Sequence, residues 1–145
     1  MPISKRPERL VVDANAILAT LLGGSARRIF FETSISEFAV PASVIDEVRA
    51  YLPRLADKLD ASPMLLEFAL DLLPLRVYSR SAYTRAMSEA RGRIERRDPD
   101  DVEVLALTLR LGVPLWSNDR DFEETGVERF TTAQLLQLFF GASGR

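Results

Sequence analysis

Short apolar runs that alternate with longer helix-like stretches are the feature that most constrains the fold of this chain. Each run has the length of a strand and is bounded by turn-forming or capping residues. The predicted strands are residues 9–13, 37–40, 75–78, 114–118 and 128–130. Strands that alternate with helices favour a mostly parallel sheet covered on both faces. We therefore predict an α/β fold, a three-layer α/β/α domain with a sheet of four to five strands.

Caps, helix breakers and apolar spacing predict the helices between these strands. Gly23–Gly24 is expected to end the first helix, Pro53 to end the third, and Asp98 to cap a helix that begins at Pro99. The predicted helical segments are residues 14–22, 25–31, 43–53, 54–60, 63–73, 81–96, 99–111 and 131–140. The 145 residues fit one domain better than two, so we expect a single domain over 1–145 with its core at about 9–140.

The available side-chain chemistry is restricted, because the chain contains no cysteine and no histidine. Disulfides and thiolate metal sites are excluded, and the usual general base and the usual zinc ligand are absent. Carboxylates must carry any metal chemistry, which favours hard cations. The net charge of −2 does not indicate nucleic-acid binding by bulk electrostatics, yet bound cations would offset the acids locally and leave such binding open.

The sequence shows no sign of secretion or of a membrane span. The segment Met1–Leu10 carries Lys5, Arg6 and Arg9 but lacks the apolar core of a signal peptide. No apolar run reaches the roughly 18 residues that indicate a membrane helix. We expect a cytoplasmic protein with no membrane partner.

Four acids occupy positions that the predicted fold can bring together. Asp13 ends the first strand and Asp119 follows the fourth, so both lie at the carboxyl edge of a parallel sheet, where ligands bind in such folds. Glu47 lies in the first turns of the helix after the second strand, which starts at the same edge. Asp101 reaches this edge only if its own helix also begins there. Carboxylates this close repel one another unless a cation neutralises them, and Mg²⁺ or Mn²⁺ suits such a site.

Each of these acids also has an ordinary structural interpretation. Asp13 could be a helix cap or turn residue, and Glu47 a surface acid that favours a helix start. Asp98 is best explained as a cap before Pro99, with Asp101 as its partner in a capping arrangement. The segment 118–121 could be a polar turn. The other acids of the helix start are predicted to be solvated: Asp100 and Glu103.

Four segments carry a resemblance to a known family. They read LVVDAN at 10–15, VIDEV at 44–48, DPDDVEVLAL at 98–107 and GVPLWSNDRDF at 112–122. Together they resemble the PIN-domain nucleases, which include the toxins of VapBC-type toxin–antitoxin pairs. The resemblance extends from about residue 9 to 140 and is most specific where a helix, a strand and an acid-containing turn follow one another.

The resemblance implies a PIN-like fold and a metal-dependent endoribonuclease that uses one or two Mg²⁺ or Mn²⁺ ions to hydrolyse phosphodiester bonds in RNA. It implies an acidic core of Asp13, Glu47 and Asp101, with Asp119 as the fourth acid. The supporting residues would be Asn15, Ser117, Asp121 and Asp98.

The resemblance also implies partners, namely an RNA substrate, a second copy in a homodimer and often an antitoxin that covers the site. Candidate protein contacts, which are equally candidate core residues, are Ile29, Phe30, Phe31, Leu55 and Leu59. Phosphate binding needs cations beside the acids. The candidate RNA contacts are Arg91, Arg93, Arg96 and Arg97, for which a solvated helix face with i,i+4 ion pairs is an equal alternative.

Three other functions compete with this interpretation. A PIN fold that binds RNA or protein without cleavage is the first, and the complete set of four acids argues against it. A phosphotransferase or phosphatase of the receiver or haloacid dehalogenase kind needs paired acids or Asp-x-Asp after the first strand, where this chain has Asp13–Ala14–Asn15. A Rossmann-type nucleotide binder needs a glycine-rich turn at that point, which is absent.

Overall fold

A single five-stranded sheet, in which all neighbouring strands are parallel, organises the computed structural model, which describes residues 5–141. The strand order is β3-β2-β1-β4-β5. The strands are β1 Arg9–Val12, β2 Glu37–Pro41, β3 Leu75–Tyr78, β4 Leu115–Trp116 and β5 Arg129–Phe130. The predicted α/β fold is confirmed, and the fourth and fifth strands are shorter than predicted.

Seven α-helices flank this sheet within the described residues. They are α1 Ala14–Leu21, α2 Ala26–Phe31, α3 Ala42–Leu59, α4 Pro63–Leu72, α5 Met87–Ile94, α6 Val102–Leu111 and α7 Thr132–Phe140. Parallel crossovers are right-handed, so the outward steps from β1 to β3 place α1–α4 on one face. The return to β4 runs in the opposite direction and places α5 and α6 on the other face, where α5 packs on α6 and α6 on β1 and β2.

The predicted helix end at Pro53 is wrong, because α3 continues through this proline to Leu59. An interior proline removes one helical hydrogen bond and costs about 3 kcal/mol. Three side chains around it, Leu52, Leu55 and Ala56, are almost completely buried in the core. The burial of these side chains offsets the cost of the proline and keeps the helix continuous.

The predicted long helix at 81–96 is also wrong. Two 3₁₀ turns, Arg80–Ala82 and Thr84–Ala86, precede α5, and Tyr83 lies between them with a φ of −129°. The Tyr83 side chain is 1% exposed. A short 3₁₀ turn, Pro99–Asp101, likewise precedes α6, and its cap is Asp98. The 3₁₀ turns that precede α5 follow the carboxyl end of β3, and the turn that precedes α6 carries Asp101.

The candidate protein-contact residues divide between core and surface. Ile29, Phe30 and Leu55 belong to the buried core, whereas Phe31 and Leu59 are exposed. Sequence reasoning missed a larger exposed apolar group on α4, namely Met64, Leu65, Phe68 and Leu72. No helix between residues 5 and 141 combines the length and hydropathy needed to cross a membrane.

Candidate metal centre

The acids meet where the strand order of the sheet reverses. The chain builds outward from β1 through β2 to β3 and then returns to place β4 on the other side of β1. Such a switch point leaves a crevice beyond the carboxyl ends of the two central strands, which is where open α/β sheets bind ligands. Asp13 directly follows β1, and its backbone N–H donates to the carbonyl of Trp116 in β4 at 3.1 Å. The loop after β4 carries Asp119 to the same crevice.

Two hydrogen bonds hold the buried carboxylate of Asp13 in place. Its Oδ1 accepts from the Ala14 N–H at 2.7 Å, and its Oδ2 accepts from the Ser117 hydroxyl at 2.6 Å. The Ser117 oxygen in turn accepts from the Asp119 N–H at 3.0 Å. Burial raises the pKa of Asp13, and the bonds from Ser117 and Ala14 only partly oppose this effect. Asp13 is therefore a helix cap, as its ordinary interpretation holds, and is also tied through Ser117 to the loop that carries Asp119.

Four aspartates form the tightest acidic group. Asp98, Asp101, Asp119 and Asp121 each offer a carboxylate oxygen, and these oxygens all lie within 4.8 Å of one another. Asp98 and Asp119 are held by the same type of turn, because each accepts at 2.9 Å from the N–H two residues later. Local turns thus position two carboxylates on either side of Asp101.

Asp101 has the most unfavourable surroundings for a charged group. The residue is only 7% exposed, and its Oδ2 is a buried atom with no hydrogen-bond donor among the described residues. Burial, followed by the charge of Asp13, raises the pKa of Asp101 to about 8. An unsatisfied buried acceptor costs roughly 1–3 kcal/mol, and a bound cation would remove this cost. Oxygen ligands of this kind suit a hard divalent cation, so the residues fit such an ion.

Glu47 lies at the rim of the acidic group. It is in the second turn of α3, is exposed to solvent and does not belong to the set of four aspartates. Partial burial of its carboxyl group, followed by the charge of Asp13, raises the pKa of Glu47. The structure therefore brings Asp101 and Asp119 together with Asp98 and Asp121, ties Asp13 to them, and leaves Glu47 at the edge.

The remaining candidate residues occupy the surface near the site. Asn15 is exposed in the first turn of α1. Three of the four candidate RNA-binding arginines form intramolecular ion pairs, namely Arg91 with Glu95, Arg93 with Glu89, and Arg97 with Glu124 and Asp121. Arg93 also donates to the Thr125 carbonyl at 2.6 Å. Arg96 is exposed and forms no ion pair within the described residues.

Sequence reasoning missed a hydrogen bond beside the acids. The Tyr83 hydroxyl donates to Glu103 Oε1 at 2.6 Å, so the prediction that Glu103 is merely solvated is wrong. The side chain of Glu103 is partly buried, two residues beyond Asp101. Nothing in the sequence indicated this contact. The apolar residues of 81–96 keep the spacing of one continuous helix, although two 3₁₀ turns occupy the first part of the segment.

The comparisons with known proteins agree with the geometry of this edge. A family model for the PIN domain matches residues 11–139, a range that contains all six acids described above. No curated protein matches the chain. PIN domains are generally nucleases and typically use divalent metal, and the four-aspartate group fits a metal site. The match covers most of the sequence, and the chain therefore belongs to the PIN-domain family.

Proposed function

We propose that this protein is a Mg²⁺- or Mn²⁺-dependent endoribonuclease whose metal centre is built on Asp13, Glu47, Asp101 and Asp119. The observation that carries the proposal is the buried Asp101 Oδ2, which has no donor among the described residues and belongs to a group with three further aspartates. Burying this carboxyl group among other acids costs free energy, which a bound cation would offset. Membership of a family of nucleases supports the assignment of that cation to phosphodiester hydrolysis.

The carboxylates divide into fixed and adjustable groups. Both oxygens of Asp13 accept hydrogen bonds, so its orientation is set before any ligand binds. Asp101 offers its free Oδ2 to a cation, and Asp119 keeps one oxygen for this purpose after its Oδ1 accepts from Asp121 N–H. Glu47, exposed at the rim, is the acid with most freedom to turn toward a cation or the substrate. When bound, the cation supplies Lewis acidity and neutralises the charge on the phosphodiester.

The nuclease proposal is tested by cleavage of a fluorescent RNA after removal and return of metal. We expect no cleavage in EDTA, recovery with Mn²⁺ or Mg²⁺, and loss of cleavage in Asp13→Asn and Asp101→Asn. Asp57→Asn is the matched control, because Asp57 is exposed on α3 and outside the acidic group. Cleavage that survives both substitutions would overturn the proposal. Tight RNA binding without cleavage at any metal concentration would favour a binding module.

We further propose that the RNA backbone runs past the arginines of 91–97. Arg93 is held within the chain by an ion pair with Glu89 and by a hydrogen bond to the Thr125 carbonyl, so Arg91 and Arg96 are the better positions to change. We expect Arg91→Ala with Arg96→Ala to weaken RNA binding and to reduce its dependence on salt. Arg110→Ala, an exposed change at the far end of α6, is the control. Unchanged affinity and salt dependence would exclude this path.

A second copy of the chain is the partner proposed for α4. Leu65, Phe68 and Leu72 are each 61–62% exposed, and their spacing of three and four residues is that of a helix–helix seam. With Met64 they expose on the order of 400–500 Å², a large share of the roughly 800 Å² that one partner buries in a stable interface. Two acids of α4 at the rim are paired within the chain, because Arg49 of α3 contacts both Glu67 and Asp71.

The absence of cysteine permits a direct test of this interface. A single Phe68→Cys lies at the middle of the seam and should form a disulfide dimer under mild oxidation, whereas Ser88→Cys, exposed on α5, should not. Phe68→Glu should convert the protein to a monomer in analytical ultracentrifugation. A wild-type monomer at all concentrations, or a dimer that Phe68→Glu leaves intact, would overturn this interface.

The biological role that we propose is that of the toxin in a toxin–antitoxin pair. This role rests on the resemblance and on the nuclease proposal. Induced expression should arrest growth for the wild type and not for Asp101→Asn at the same protein level. A short neighbouring reading frame that encodes an antitoxin should relieve the arrest when it is expressed together with the wild type. If the purified protein cleaves RNA but its expression does not arrest growth, the protein is a nuclease and not a toxin.

A further inference from the structure

We propose that Tyr83 is a positioning residue that holds the first turn of α6 and thereby fixes the position of Asp101. This inference rests on the proposed metal centre. Tyr83 lies between two 3₁₀ turns after β3 and is 1% exposed. Its aromatic ring is thus fixed in the core, and its hydroxyl reaches the start of α6.

The hydroxyl of Tyr83 holds the start of α6. It donates to Glu103 Oε1 at 2.6 Å, in the first turn of α6 and two residues after Asp101. Asp101 is the last residue of the 3₁₀ turn that leads directly into this helix. One buried phenol therefore fixes the helix start that follows one of the proposed ligands.

The Tyr83 hydroxyl keeps its proton under all ordinary conditions. Burial, followed by the bond to Glu103, raises the pKa of Tyr83 to about 12. The phenol is thus a permanent donor to Glu103, and the direction of the bond does not change with pH. Groups that orient metal ligands in this way typically alter metal affinity by 10- to 100-fold when removed.

A matched tyrosine makes the inference testable. Tyr78 also donates at 2.6 Å to a glutamate, Glu37, which begins β2 at the amino edge of the sheet and is not part of the four-aspartate group. Both Tyr83→Phe and Tyr78→Phe remove one hydroxyl and keep the ring. Binding of Mn²⁺ to the metal-free protein, followed by electron paramagnetic resonance, should weaken roughly tenfold in Tyr83→Phe and remain unchanged in Tyr78→Phe. The unfolding temperatures of the two variants show whether they are equally folded.

Two changes at Glu103 separate positioning from charge. Glu103→Gln keeps an oxygen that accepts from Tyr83, so it should retain Mn²⁺ affinity to within about threefold, whereas Glu103→Ala should resemble Tyr83→Phe. The double variant Tyr83→Phe with Glu103→Ala should be no worse than either single change, because both remove the same bond. Glu103→Ala also provides the test if Tyr83→Phe does not fold.

The outcomes distinguish this inference from the proposed function. Wild-type protein that does not bind Mn²⁺ would overturn the metal centre and the inference with it. Wild type that binds Mn²⁺ with the same affinity as Tyr83→Phe and Glu103→Ala would overturn the inference alone. Loss of affinity in Glu103→Gln equal to that in Glu103→Ala would show that charge, and not the hydrogen bond from Tyr83, is responsible.

Discussion

Glu37 and Asp101 are carboxylates at opposite edges of the sheet, and their surroundings are opposite in charge. Glu37, at the amino end of β2, accepts hydrogen bonds from Arg9, Arg76 and Tyr78. Although burial acts against them, the bonds from Tyr78 and Arg9 hold the pKa of Glu37 below its usual value. Asp101 has a buried oxygen that finds no donor between residues 5 and 141, three aspartates lie close to it, and its pKa is raised.

The difference shows how a fold assigns roles to identical functional groups. The positively charged side chains around Glu37 bind its carboxylate oxygens within the chain. This carboxylate therefore contributes to stability and is not available to bind a ligand. Asp101 lowers the stability of the protein on its own, which is the expected condition of a group that awaits a cation. Substitutions at these carboxylates and at their neighbours, together with changes of pH, test this contrast between Glu37 and Asp101.

The largest effect is expected from neutralising each carboxylate in turn. Asp101→Asn should reduce RNA cleavage by more than about 100-fold, since a ligand matters at least as much as the groups that orient it. It should also raise the metal-free unfolding free energy by about 1 kcal/mol or more, because it removes the cost of burying an ionisable carboxyl group among other acids. Glu37→Gln should leave cleavage intact and lower stability by about 1–3 kcal/mol. Urea unfolding and an RNA cleavage assay provide both values, and a stabilising Glu37→Gln would contradict the contrast.

The second prediction concerns pH. The folded-state pKa of Asp101 is about 8, above the ordinary 3.8, so between these values the folded protein binds more protons than the unfolded chain. The metal-free unfolding free energy should therefore fall as pH rises from about 4 to 8, with a slope that approaches 1.4 kcal/mol per pH unit for one proton. The contribution of Glu37 has the opposite sign and is lost only as pH falls through its lowered pKa. Urea unfolding at pH 5 and 8 in EDTA measures the slope, and saturating Mn²⁺ should abolish it.

A third prediction addresses the hydroxyl that links Asp13 to Asp119. Ser117→Ala removes the donor to Asp13 Oδ2 and the acceptor of the Asp119 N–H. Because Ser117 is completely buried, the unfolding free energy should fall by about 1–3 kcal/mol, and Mn²⁺ affinity should fall roughly tenfold. Ser117→Thr should retain part of both. If Ser117→Ala lowers stability but not Mn²⁺ affinity, the link serves the fold only.

The smallest effect is expected at Arg97. This side chain is half exposed and pairs with Glu124 at 3.1 Å and Asp121 at 3.9 Å. Arg97→Ala should change the unfolding free energy by less than about 0.5 kcal/mol, since exposed ion pairs contribute little. Mn²⁺ should bind slightly more tightly, because a competing positive charge is gone. Weaker Mn²⁺ binding would show that Arg97 orders the loop of Asp121 more than it competes.

The sequence predicted the features that depend on local patterns. Asp13 and Asp119 follow the first and fourth apolar runs, and the carboxyl ends of parallel strands share an edge, so their proximity was predicted from the positions of the strands. The supporting role of Ser117 was implied by the resemblance. The closing helix predicted at 131–140 is present as α7, and Thr131 caps it in a capping box with Gln134. Strand ends and helix caps of this kind depend on only a few consecutive residues.

Features that depend on packing escaped prediction. Tyr83, Met87, Ala90 and Ile94 are all buried and have helical spacing, but the same face is presented by 3₁₀ turns followed by α5. Pro53 breaks a local rule because its neighbours are buried in the core. The resemblance named Asp98 and Asp121 only as supporting residues, because their place in the four-aspartate group depends on two turns that meet only in three dimensions.

The ion pair between Arg97 and Asp121 makes this guanidinium a counter-ion tethered to the rim of the acidic group. A tethered charge loses no translational freedom when it approaches, so it partly neutralises Asp121 even when no free ion is bound. Among the described residues it does not pair with Asp101, whose Oδ2 has no donor. A divalent cation would therefore replace a positive charge at Asp121 and supply the first one at Asp101, and the displaced guanidinium would be free to pair with a phosphate.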